Sequence, residues 1–131
     1  RRQGAVVIVG SAAGRQPVPL HAVYGATKAF DLFLGEALYV EMREHGVDVL
    51  VVEPGATETE FQEVAGQTQS KGHSSERIAE DALEVLGMQP SVLVGWLNWL
   101  RGTGANRVIS RLAALYFARQ YMEERLPRTT D

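Results

Sequence analysis

The sequence predicts an α/β fold, with parallel strands flanked by helices. Three observations predict it: a β-branched apolar run, Ala5–Val9, that stops at Gly10; a second such run in "VDVLVVEPG"; and, between them, apolar residues recurring at three- and four-residue intervals. Strand, helix, strand is the βαβ order, whose two strands run parallel through a right-handed crossover. A chain of 131 residues with 45% apolar content is long enough for one core. A single domain over residues 1–131 is therefore expected.

Each element follows from its residues. The run Ala5–Val9 lacks polar alternation, so it reads as a strand buried on both faces in the middle of a parallel sheet. Pro17 and Pro19 make Arg15 to Leu20 an extended loop. A helix is predicted from about Val23 to His45 on the spacing of Phe30, Phe33, Leu34, Ala37, Leu38 and Met42, with Gly46 as its stop. The next strand runs from Val47 to Val52 and ends at Pro54 and Gly55. Residues 56–73 are polar and hold two glycines, which predicts a loop with a short helix near Thr59 to Val64. Ser74 is the expected N-cap of an amphipathic helix carrying Ile78, Ala82, Leu83, Val85 and Leu86. "SVLVG" is a third strand, and the tail at 96–125 is helical with a break at "RGTG".

Composition excludes several classes of function. The absence of cysteine removes disulfides and thiolate metal sites and fits a reducing cytoplasm. A net charge of −3 gives no electrostatic case for nucleic acid. No apolar run approaches the roughly 18 residues of a membrane span. His45 and His73 lack the spaced partners of a metal centre. Trp96 and Trp99, with Leu97 and Leu100, read as packing against the helix layer rather than as a substrate wall or a membrane-facing patch.

One constellation carries chemistry. Tyr24 and Lys28 stand four residues apart at the start of the first helix, so their side chains share a face. An ammonium near a phenol favours the phenolate and moves the tyrosine toward the range of useful proton transfer. Ser11 follows the first strand, at the carboxyl edge where parallel sheets bind ligands. Its hydroxyl is placed to orient a substrate oxygen.

The arrangement "GSAAG…Y24-G-A-T-K28…VEPGATET" resembles the short-chain dehydrogenase/reductase family across about Gly4 to Phe61. The resemblance implies a partial Rossmann-like fold and an oxidoreductase moving hydride between NAD or NADP and a carbonyl or alcohol substrate. It implies Tyr24 as acid/base, Lys28 as the residue that tunes it and holds the nicotinamide ribose, and Ser11 as the holder of the substrate oxygen. Pro54 and Gly55 match the turn bordering the nicotinamide. Thr57 and Thr59 match positions contacting the carboxamide or pyrophosphate, and 56–73 matches the substrate lid. Homo-oligomers are implied too, through pairing of the first helix with its symmetry mate.

The family's glycine-rich turn and its tetrad asparagine have no counterpart in the sequence. The chain is accordingly expected to be the carboxyl-terminal part of a longer reductase, weak in cofactor binding and inactive by itself. Its first strand would then expose an apolar edge that invites self-association. The alternative is a non-catalytic oligomerising or membrane-peripheral module of the same ancestry.

Overall fold

The computed structural model describes residues 3–57, 64, 72–95 and 110–125. The described elements are β1 (Gly4–Val9), a 3-10 turn (Ala12–Arg15), α1 (Ala22–Arg43), β2 (Val47–Glu53), α2 (Ser75–Val85), β3 (Ser91–Leu93) and α3 (Arg111–Glu123). The strands form one parallel sheet in the order β1-β2-β3. Val6 pairs with Val49 and Val9 with Val52, and Val52 in turn pairs with Val92. The predicted α/β class holds. The short helix expected near Thr59 to Val64 and most of the segment 96–110 lie outside the described residues.

Strand β2 is the centre of the molecule. Val49 through Glu53 are all buried, and alternation sends successive side chains to opposite faces of the sheet. Leu50 and Val52 meet Ala82 and Val94, with Ile78 and Val85 of α2 and Leu86 just after it packed around them. Val51 faces α1 instead. A Cβ built on Gly35 would come within 2.1 Å of Val51 Cγ2, so a glycine at that point lets the helix lie directly on the sheet.

Helix boundaries follow local chemistry. Ser74 caps α2 by accepting from Arg77 N–H at 3.3 Å, which satisfies one of the helix's orphan donors. Ser110 does the same for α3 through Ala113 N–H. Gly46, at φ +67°, takes the left-handed conformation after α1 that a side chain disfavours.

Two expectations about burial require correction. Strand β1 is not buried on both faces: among the described residues it pairs with β2 alone, leaving the apolar edge expected of a strand without a second neighbour, and Val9 is 64% exposed. Its β-branched run specifies an extended backbone but does not supply a neighbour. Nor does α1 bury its whole apolar pattern. Its inward face is Gly25, Leu32 and Gly35, while Phe30 and Phe33 are 64% and 69% exposed.

Candidate active site

The site is built where the carboxyl ends of β1 and β2 lie side by side. Gly10 N–H donates to Val52 C=O at 2.8 Å, and Ala12 N–H donates to Pro54 C=O at 3.0 Å. These two bonds bring the predicted Ser11 segment against the predicted Pro54–Gly55 turn. Ser11 is the N-cap of the 3-10 turn, its Oγ accepting from Ala13 N–H at 3.2 Å. An accepting hydroxyl still carries its own proton to donate.

Helix α1 is held close to that turn. A Cβ on Gly14 would lie 2.6 Å from Lys28 C=O, so the glycine permits backbone contact between the serine turn and the helix at its lysine. Lys28 Nζ donates to Val9 C=O at 2.8 Å and pairs with Asp31 at 3.1 Å. The lysine is thereby directed to the last residue of β1, two positions before Ser11. Tyr24 lies one helical turn earlier, half-buried, with His21 edge-on at 6.4 Å between ring centroids. An open depression of about 500 Å³ is lined by Leu20, His21, Ala22, Val23 and Tyr24. Leu20 enters the helix at φ +68°, a strained conformation for a side-chain-bearing residue, and such strain gathers at functional sites.

The Pro54–Gly55 turn continues into Thr57, whose hydroxyl donates to Gly55 C=O at 3.2 Å. Thr57 and His73 form a parallel bridge, and His73 N–H donates to Ala56 C=O at 3.1 Å. The two ends of the predicted lid at 56–73 are thus joined at its base. Thr59 and the lid residues from Phe61 to Lys71, apart from Val64, lie outside the described residues.

One group of residues escaped the sequence reading. Arg15 reaches from the 3-10 turn to Glu53, the last residue of β2, with Nε–Oε2 at 2.8 Å and Nη2–Oε1 at 2.5 Å. Glu53 is 0% exposed. Arg15 Nη2 also donates to Ser91 Oγ at 3.3 Å, and that hydroxyl donates to Glu36 of α1 at 2.8 Å. The bonds to Glu53 hold the guanidinium pKa above its ordinary value, against the opposing effect of burial. A charge ending the apolar stretch Val49–Val52 was the available signal, since a buried carboxylate requires a partner.

Residues 1–70 match the short chain dehydrogenase family. The chain belongs to that family. It is 36% identical over 89 residues to very-long-chain 3-oxoacyl-CoA reductase of Bos taurus, covering 68% of the chain and 28% of that protein. Among solved structures it is similar to a 7β-hydroxysteroid dehydrogenase, with a TM-score of 0.73 and 29% identity over 87% of this chain and 45% of the other. A short chain dehydrogenase of Burkholderia cenocepacia in complex with NADP gives a TM-score of 0.69 and 27% identity, over 86% of this chain and 48% of that one. The chain therefore spans less than half the length of each of these three relatives, and the family's oxidoreductases share its parallel α/β architecture.

Proposed function

We propose that the chain carries the proton-transfer half of an NAD(P)-dependent oxidoreductase acting on a carbonyl or its alcohol. The observation that supports this most directly is the bond from Lys28 Nζ to Val9 C=O, because it ties the helix bearing Tyr24 to the strand end bearing Ser11. In reduction, Ser11 donates a hydrogen bond to the carbonyl oxygen and orients it. Tyr24 gives that oxygen its phenolic proton as the carbon–oxygen double bond becomes a single bond. The ammonium of Lys28, shared with Asp31, favours the negative charge left on Tyr24.

The residues present fit the nicotinamide end of a dinucleotide: an ammonium for ribose hydroxyls, and the half-buried Pro54, Gly55 and Thr57 turn at the carboxyl end of β2. Thr59 is the further candidate for the carboxamide or pyrophosphate. When bound, such a group supplies the hydride. The apolar Leu20, Ala22 and Val23 beside Tyr24 suit a hydrocarbon substrate body, and the bovine relative's 3-oxoacyl-CoA name points the same way.

Saturation-transfer NMR with NADPH tests this reading, since it detects weak binding. Signal is expected at the nicotinamide and its ribose, and is expected to be lost in Lys28→Met. Signal confined to the adenine end, or none, would refute the assignment.

A second proposal rests on the exposed stripe of Phe30, Phe33 and Val40 along α1. An uncovered apolar face of this kind marks an association surface, and the occupant proposed is a second copy of the chain. Sedimentation velocity should show self-association that the double substitution Phe30→Glu and Phe33→Glu abolishes. A wild-type chain that stays monomeric at high concentration would remove the idea.

A further inference from the structure

We infer that Arg15 and Glu53 are positioning residues, an ion pair that sets the serine turn in register with the Pro54–Gly55 turn and so places Ser11 for reaction. The inference rests on the reading of Ser11 and Tyr24 as the working pair, and adds to it the part that holds the serine in place.

Four features carry it. Glu53 immediately precedes Pro54–Gly55 and is wholly buried, and Arg15 ends the short turn that Ser11 caps. The contact is two-pronged, Nε to one carboxylate oxygen and Nη2 to the other; a planar fork on a planar carboxylate fixes orientation as well as distance. The same guanidinium reaches Ser91 at the start of β3, and through it Glu36 on the helix that bears Tyr24 and Lys28. Finally, the backbone bond between Ala12 N–H and Pro54 C=O is bracketed by this side-chain pair. The network thus links the serine turn and the end of β2 and, through Ser91 at the start of β3, reaches α1; the serine turn and α1 are the elements whose relative placement the proposed proton transfer requires.

A buried ion pair can also be merely a way to fill space, and apolar residues of similar size often replace such pairs with no loss of stability. The two roles differ in what an apolar replacement restores. Amide hydrogen exchange read by NMR on the whole chain separates them without requiring turnover, so failure here is distinct from failure of the oxidoreductase reading. In Glu53→Gln, exchange at Ala12, Ala13 and Gly14 is expected to accelerate by about tenfold or more, with Leu50 and Val52 of β2 much less affected, since local opening is independent of global unfolding. The Ala13 amide proton, which donates to Ser11 Oγ, should shift in the same variant.

The double variant Arg15→Met with Glu53→Leu should recover the melting temperature but leave the three turn amides fast. Should Glu53→Gln fail to fold, Arg15→Lys serves in its place, because it keeps the charge and loses the fork. The inference is overturned by turn amides unprotected in the wild type, by acceleration spread equally over β2, or by an apolar pair that restores the turn's protection.

Discussion

Arg15→Ala is expected to lower the free energy of unfolding by at most about 3–5 kcal/mol, the cost of leaving a buried charge uncompensated, because Glu53 is wholly buried while the Arg15 side chain is 24% exposed. Glu53 is 0% exposed and takes both of its strong bonds from this guanidinium. Without Arg15, the carboxylate keeps its burial and loses its cation. A loss of that size is a large part of the total stability of a domain, roughly 5–15 kcal/mol. Urea denaturation followed by circular dichroism should show a lower midpoint with an unchanged slope. The comparison within the same molecule is Arg119→Ala. Arg119 also bonds a glutamate, Glu123, at 2.8 Å, but both side chains are more than half exposed. Such a helix pair contributes only about 0.3–0.5 kcal/mol. Equal losses in the two variants would show that burial of Glu53 does not govern the energetics of the pair.

The contrast between these two arginines explains what the sequence could and could not disclose. Local order was legible because it is written in adjacent residues. Two β-branched runs specify β1 and β2, Ser74 caps α2, and Gly46 ends α1. The joining of Ser11 to the Pro54–Gly55 turn was also foreseeable, since parallel strands of a βαβ unit end on the same edge. Partnership across the chain was not. Arg15 and Glu53 stand 38 positions apart, and no periodicity couples them; only the anomaly of an acid closing the run "VDVLVVE" hinted at a buried partner. Burial proved equally non-local. The run Ala5–Val9 reads as a central strand because its composition is that of one, yet burial depends on which neighbours are present, and β1 has a strand on one side only among the described residues. The aromatic positions of α1 misled for a related reason: spacing identifies a face, while contact with β2 selects the glycine-bearing face, which can approach the sheet most closely.

In an enzyme that joins this proton-transfer half to a nucleotide-binding half, Tyr24→Phe is expected to lower kcat for carbonyl reduction by about 10²–10⁴-fold, the usual contribution of a positioned acid or base, with KM for the carbonyl substrate little changed. The substitution removes one oxygen and its proton and leaves the ring, which lines the depression and meets His21 edge-on. Ser11 keeps its turn, and Lys28 keeps its bonds to Val9 and Asp31. The substrate oxygen therefore still has its orienting hydroxyl but no proton donor, so the loss should fall on the chemical step. Lys28→Met is a poorer probe of that step, because it also cuts the bond from α1 to the end of β1 and so mixes charge with placement. Rates are to be compared at matched NADPH saturation, where a low affinity for the dinucleotide cancels between the two proteins. A kcat within a factor of about three of the wild type would mean that the proton reaches the substrate from elsewhere. A large rise in KM with unchanged kcat would make Tyr24 a binding residue, and His21, which lines the same depression, would then be the residue to replace.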